Sequence, residues 1–506
     1  MIIDPNPVDS TTGVWLGLFL ITFLYILIAF EITDRAFAGV LVSLTALGIL
    51  SAMGVRPSFE KILSWIDIDT IILLFGMMIM VAILADTGLF DYLSLFAYRL
   101  SKGKTWLLLF YLYMFTGILS AFLDGVTMVL MMVPVTIRLC EAVGLHTTLV
   151  VISIVAFSNI GGALTPVGDP PNMIIATNSY VVSKGVDFGN FTLHMLPGVV
   201  VSMILGFLSI FVMTRKFIYI GRADQMRRSL ARLDKLARNQ KDDNRDIVKR
   251  MEELNERLKR NEANINNPGR DFDDNLNDMQ MKYRIRDKIL LIKCCVAFAF
   301  AISMFLAHSF PSMKGITLCW AATLAALLLL ILTDRPDVDK ILEGVEWDTL
   351  IFFAALFVLM EALVEIGLID WVSNKTIALI LCADKSSQLC VSILLVLWIS
   401  ALASSFVGNI PITTMMLKLT INLATNEELN LPLTPLVWAI SFGCCFGGNG
   451  TLIGASANVV SAGMANSYGY NINFKTFFIL GFPLMIITSV VASIYLLIAH
   501  CLFTWH

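Results

Sequence analysis

Charge is scarce in this 506-residue chain: Asp, Glu, Lys and Arg make up 15% of it against 57% apolar residues, and the mean hydropathy is +0.78. Soluble domains run near a quarter charged, so this composition excludes a soluble enzyme and places the chain in a bilayer. A basic excess is missing too. The formal net charge of -3 leaves no Lys/Arg face to displace counterions from phosphates, which excludes a nucleic-acid binder. Histidine is rare, at five, and the nine cysteines form no Cys-x-x-Cys pair, so no metal-ligand spacing is present. Cys294/Cys295 and Cys444/Cys445 sit in apolar runs and read as packing residues, whereas Cys382 and Cys390 lie nearer a polar loop and could pair in an oxidising lumen. The first thirteen residues lack the basic n-region of a cleavable signal, so the apolar run from Val14 is expected to remain.

The charge that is present is concentrated. Between Arg222 and Lys288 lie 18 of the 36 Lys/Arg and 14 of the 39 Asp/Glu. That stretch divides the chain into a first membrane repeat, 1–221, a charged linker, 222–288, and a second repeat, 289–506. Apolar Ile247, Met251, Leu254, Leu258 and Ile265, with Glu253/Arg257 and Glu256/Arg260 four apart, make the linker a salt-bridge-laced helix or helix pair. Its plain role is a solvated connection between the halves, with docking of a partner or of the membrane surface as the alternative.

Uninterrupted apolar runs long enough for the hydrocarbon layer occur at 14–32, 36–53, 70–85, 194–214, 289–310, 315–333, 349–366 and 476–503. Residues 106–142 and 386–425 each carry a polar turn at their centre, Ser120-Ala-Phe-Leu-Asp124-Gly125 and Ser404-Ser405-Phe-Val-Gly408-Asn409-Ile-Pro411, and read as re-entrant helical hairpins. Residues 147–181 and 435–464 are broken by Gly-rich stretches, a backbone a bilayer tolerates only where protein or a wet cavity covers it. The Lys/Arg bias puts the linker in the cytoplasm, with five crossings in each half. The Asn-x-Ser/Thr glycosylation sequons at Asn190 and Asn374 then fall on the opposite face, as do both chain ends.

The halves repeat one another. Asp69-Thr70 recurs as Asp348-Thr349 at an offset of 279, Ser120 and Phe122 recur as Ser404 and Phe406 at 284, and Gly161-Gly162-x-x-Thr165-x-x-Gly168-x-x-x-Asn172 recurs as Gly447-Gly448-x-x-Thr451-x-x-Gly454-x-x-x-Asn458 at 286. With an odd number of crossings per half, the copies run through the membrane in opposite senses, the inverted repeat of secondary transporters. The expected fold is therefore an all-α polytopic membrane protein of two inverted repeats. Each carries one hairpin and one broken crossing.

Gly at the breaks exposes backbone N–H and C=O groups, while Thr and Asn supply oxygen ligands and amide donors. Pairing each hairpin turn with its neighbouring break gives two related candidate sites: Asp124, Gly125, Thr127, Asn159, Gly161, Gly162, Thr165, Gly168, Asp169 and Asn172 in the first half, and Gly408, Asn409, Thr413, Gly447, Gly448, Asn449, Thr451, Gly454 and Asn458 in the second. Glycine used only for close packing would not require Asn and Thr at matched positions. The sites differ chemically, because Asp124 and Asp169 align with Gly408 and Ala455. A carboxylate at mid-membrane costs about 2.5–3.5 kcal/mol, which calls for a sodium ion, a proton or solvent at Asp124 and Asp169, and leaves the neutral second half to the anion. Glu361, inside 349–366, is expected to face a polar partner on another helix.

The run Ser158–Asn172 together with Ser120–Thr127 resembles the ion transporter superfamily of arsenite pumps, sodium/proton antiporters and dicarboxylate transporters. Arg284–Leu290, Leu350–Ala362 and Cys445–Val460 are similar to its melanosomal P-protein branch, and the likeness covers nearly the whole chain, without the long cytosolic N-terminal extension of the mammalian members. The resemblance implies a homodimer with a scaffold and a mobile transport domain, a small anion as substrate, Na+ or H+ as coupling ion with no other cofactor, and a melanosome or related organelle whose lumen it keeps less acidic for pigment synthesis. Gly125 and Gly408 depart from the branch pattern, which has Asn and Asp there. The Ser-Asn-Thr turn of dicarboxylate transporters is absent from both hairpins, which argues against citrate-like substrates and against a sodium site of their type.

Rival readings fare worse. Gly103-Lys104-Thr105 lacks the upstream Gly of a phosphate loop, position 98 being Tyr98. An intramembrane aspartyl protease could use Asp124 and Asp169 as a dyad, but Pro166 replaces the first Gly of its Gly-x-Gly-Asp motif and the second half would have no role. A channel-like chloride conductance is the remaining alternative to a coupled transporter.

Overall fold

The computed structural model describes residues 10–29, 33–219, 285–308, 317–333, 338–385 and 387–505, with scattered positions between 227 and 256. Most of the 222–288 linker thus lies outside the described residues. Within it, Leu233 and Leu254 bury themselves against Leu230 and Met251, apart from the main core.

Among the described residues the fold is helical, with no strand. In the first half α1 (Ser10–Ala29) and α2 (Arg35–Ala52) lead through short α3 (Phe59–Trp65) to α4 (Ile68–Ala85) and α5 (Leu89–Ser101). The hairpin follows as α6 (Thr105–Ser120) and α7 (Gly125–Val143), the broken crossing as α8 (Thr147–Gly162) and α9 (Pro170–Thr177), then α10 (Ser179–Ser183) and α11 (Phe188–Thr214). The second half repeats the order: α12 (Lys288–Ala307), α13 (Leu318–Thr333), α14 (Val338–Glu343), α15 (Trp347–Glu365), α16 (Leu368–Leu381), hairpin α17 (Gln388–Val407) and α18 (Asn409–Thr425), broken crossing α19 (Leu433–Gly447) and α20 (Ser456–Ser467), and α21 (Phe474–Leu496) with a wider turn to Leu502. Eight of these helices are long and apolar enough to cross a bilayer. Their outward faces expose large apolar side chains such as Trp15, Val212, Ile289 and Ile331, as lipid contact requires.

Packing exchanges partners between the halves: α2 lies against α15, and its counterpart α13 lies against α4. Counterparts α11 and α21 meet antiparallel, because the Tyr495 hydroxyl donates to the His194 carbonyl at 2.5 Å while Gly206, twelve residues further along α11, faces Leu484. Such an arrangement is consistent with halves inserted in opposite senses.

Two repeated crossings explain the glycines. A Cβ on Gly161 would stand 2.0 Å from the Gly117 carbonyl oxygen, and one on Gly447 would stand 2.5 Å from that of Ala401, so each hairpin arm lies backbone to backbone on its broken helix. Helices α5 and α16, which the run-by-run reading of the sequence does not resolve, lie beside the hairpins. The Cys382–Cys390 pairing that the sequence allows is not made: Cys390 bridges to Cys501, bringing α17 to the end of α21, and Cys382 is free and exposed.

Candidate functional site

The breaks are built alike. Asn172 donates its amide to the carbonyls of Gly162 and Thr165, both at 3.1 Å, and Asn458 donates to those of Gly448 and Thr451 at 2.7 and 2.9 Å. Thr165 donates to the Ala121 carbonyl of its hairpin turn, and Thr451 to that of Ser405. Each break therefore closes on itself and on the adjacent hairpin through the same bonds.

Across the middle, Asn159 donates to Asn449 at 2.9 Å and to Asn458 at 3.1 Å, while the Asn172 carbonyl oxygen accepts from Ser441 at 2.6 Å. These bonds consume the polar atoms of Asn172 and Asn458. Both side chains are fully buried ties between segments. Gly161, Gly162, Gly168, Gly447, Gly448, Thr413, Thr165, Thr451 and Asn449 likewise stand behind the surface of the cavity described next.

That cavity, of about 510 Å³, takes residues from both halves: Asp124, Gly125, Asn159 and Asp169 from the first, Gly408, Asn409, Gly454 and Ser456 from the second. The two sites expected from the sequence thus merge into one. Four helices begin on it. Asp124 caps α7, accepting from the Thr127 N–H at 3.1 Å and the Thr127 hydroxyl at 3.3 Å, and is only 4% exposed. Helix α9 begins with Pro170 and Pro171, which carry no N–H, behind an Asp169 whose Oδ2 is buried with no hydrogen-bond partner. On the other wall, α18 and α20 start at Gly408 and Ala455 with no side-chain cap. Gly408 has φ +96°, which a side chain would strain. One terminal atom of the Asn409 amide lies 2.7 Å from both the Gly454 carbonyl and Ser404 Oγ and 3.2 Å from the Cys444 carbonyl, so its neighbours assign it as the nitrogen.

The cavity also takes residues outside the two candidate sites. It reaches the surface at the turn between α1 and α2, where Thr33, exposed Asp34 and Arg35 line it together with Thr349. Beside them Glu346 accepts from the Thr349 hydroxyl at 2.9 Å through one oxygen, while the other is buried without a partner. Burial pushes the Glu346 carboxyl up to about 7, the Asp124 charge adds to the rise, and the Thr349 hydroxyl and Arg35 oppose it. Recognition of Arg35 and Glu346 required knowing that α2 crosses to α15. No local pattern carries that signal.

A family model described as "Citrate transporter" matches residues 25–443. The chain belongs to the citrate transporter family. Curated relatives include the P protein of Homo sapiens, 43% identical over 498 residues, and that of Mus musculus, 42% identical over 497, each alignment covering 95% of this chain. The chain spans 59% and 60% of the length of these two proteins. An uncharacterized transporter of Mycobacterium tuberculosis is 32% identical over 469 residues, covering 91% of this chain and 94% of that one. Among solved structures, the YdaH transporter of Alcanivorax borkumensis aligns over 99% of both chains at 12% identity and a TM-score of 0.47. Membership places the chain in a family of multi-pass membrane transporters, which speaks against the aspartyl protease reading.

Proposed function

We propose that the chain moves a small anion by secondary-active transport, coupled to a proton or a cation held at Asp124 and Asp169. One observation carries the reading: four helix N-termini converge on one cavity, one capped by the Asp124 carboxylate, one headed by the Asp169 carboxylate, and two with no carboxylate at all. Uncapped N-termini offer free N–H groups and the positive end of the helix dipole to an anion. The carboxylates repel that anion until a proton or cation covers them, which links the two bindings. The family description puts citrate among the anions to test. A single Arg35 against Asp34, Asp124 and Asp169 favours a smaller, less charged one. The sequence resemblance adds the setting, a melanosome-like organelle whose lumen the transport makes less acidic, and a homodimeric assembly.

The test is flux into proteoliposomes of labelled chloride and of labelled citrate, with and without a pH or sodium gradient. Gradient-driven accumulation of the anion above its equilibrium level is expected. Flux that only dissipates an anion gradient makes the protein a conductance and overturns the coupling. No flux of either anion overturns the anion assignment.

A further inference from the structure

The fold treats its two equivalent helix caps differently. Asp67 caps α4 by accepting from the Thr70 N–H at 3.1 Å. Its Oδ2 forms a triangle with two hydroxyls, 2.8 Å from that of Thr70 and 3.1 Å from that of Thr177, which are 2.7 Å from each other. Thr177 is the last residue of broken helix α9, so this triangle ties α9 to α4. The counterpart cap, offset by 279, is Glu346 with Thr349 on α15. Asn172-Met-Ile-Ile-Ala-Thr177 aligns with Asn458-Val-Val-Ser-Ala-Gly463, so the counterpart of Thr177 is Gly463 and brings no hydroxyl. Glu346 keeps a buried oxygen without a partner, and a Cβ on Gly463 would meet no atom within 4 Å.

The caps lie at opposite faces. Helix α2 carries the chain from Arg35 through 18 residues before α4 begins, and a helix of that length spans about 27 Å, one hydrocarbon thickness. The cavity is open beside Arg35 and Thr349, and neither Asp67, Thr70 nor Thr177 lines it. We infer that Asp67, Thr70 and Thr177 form a latch that shuts the cavity at their face, and that the missing hydroxyl at Gly463 leaves the opposite face unlatched. This rests on the transport reading, in which the cavity opens to each face in turn. The hydroxyl asymmetry then biases the resting protein toward the state open beside Arg35. In the alternate state α20 approaches α15, and Gly463 comes to stand against Glu346 and Thr349 as Thr177 now stands against Asp67 and Thr70.

The experiment places a cysteine at Val407, which lines the cavity, and measures its reaction with a membrane-impermeant maleimide added to either face of sealed vesicles, against the protein without that cysteine. The parent should react from the Arg35 face. Thr177→Val removes one neutral hydrogen-bonding group and should raise the rate from the Asp67 face roughly fivefold. Gly463→Thr supplies the absent hydroxyl and should raise the same rate. Thr177→Ser keeps the hydroxyl and should stay at the parent value, which separates loss of the latch from misfolding. A rate from the Asp67 face within twofold of the parent for both Thr177→Val and Gly463→Thr overturns the latch. Labelling needs no flux, so this failure leaves the transport reading standing, whereas absent flux in the parent leaves the labelling result intact.

Discussion

Lys418 on α18 forms an ion pair with Glu361 in the last turns of α15, joining the second hairpin to a long crossing helix. The partner expected for Glu361 is thus a cation, and it comes from a residue hidden in an apolar run. The first half has no such pair, because the aligned positions are Ala82 and Pro134. Removing one partner leaves a charge uncompensated in a medium that solvates it poorly. Lys418→Met should destabilise the protein by about 1–3 kcal/mol, less than for a fully buried pair because the side chains are 25% and 32% exposed. The double variant Lys418→Met/Glu361→Gln should recover most of the loss. Thermal unfolding in detergent measures both, and equal losses in the single and double variants would show that the pair does not couple.

Glu346 gives the cavity mouth a pH response. Its carboxyl is pushed up to about 7 from an ordinary 4.5, chiefly by burial. Below that pH it gains a proton, the mouth loses one negative charge beside Arg35, and anion entry is favoured. Anion uptake from the Arg35 face should therefore rise as pH falls from 8 to 6. Between 4.5 and 7 the folded state holds a proton that the unfolded chain has released, so this group's contribution to stability declines as pH rises through that window. Glu346→Gln should flatten the pH profile of uptake. A profile of unchanged slope removes Glu346 from the entry step.

Much of this was legible because bilayers impose simple rules. Each long apolar run became a helix within a few residues of its expected ends, Ser10–Ala29 for 14–32 and Lys288–Ala307 for 289–310 being typical. The hairpins and breaks were legible because two copies of one motif mark positions that matter twice. Short helices were not. Leu89–Ser101 buries Phe90, Leu95 and Tyr98 on one face while exposing Tyr92, Phe96 and Leu100 on the other, so at 13 residues it reads neither as a spanning run nor as a one-sided amphipathic helix. The spacing of Asn172 and Asn458 placed them at the breaks but could not tell a ligand from a tie, since that depends on which carbonyls surround the amide. Arg35, Glu346 and Thr177 depend on contacts across hundreds of residues.

Asp124→Asn separates coupling from folding. Asn is as good a helix cap as Asp, so the bond to the Thr127 N–H can persist and stability should change by less than about 1 kcal/mol. The charge is lost, and with it the group that a proton or cation must cover. Anion flux should continue while losing its dependence on the coupling gradient. Accumulation driven by the gradient at the parent level would exclude Asp124 as the coupling site.

The strongest test of the anion wall is to give it the first half's chemistry. Ala455 stands at the uncapped start of α20 and lines the cavity, where its counterpart is Asp169. Ala455→Asp would place a carboxylate at the end of the helix that should receive the anion. Losing a charge-assisted interaction costs roughly 1.5–3 kcal/mol, and like-charge repulsion adds to it, so the half-saturating anion concentration should rise at least tenfold. Ala455→Asn, similar in size and uncharged, should raise it far less, which separates charge from crowding. Asn458→Ala makes the opposite split. It removes amide donors to the Gly448 and Thr451 carbonyls and an acceptor for Asn159, so it should lower the unfolding temperature while leaving the half-saturating concentration within twofold. If Asn458→Ala weakens anion binding tenfold at unchanged stability, Asn458 is a ligand and the wall has been drawn one turn of α20 too shallow.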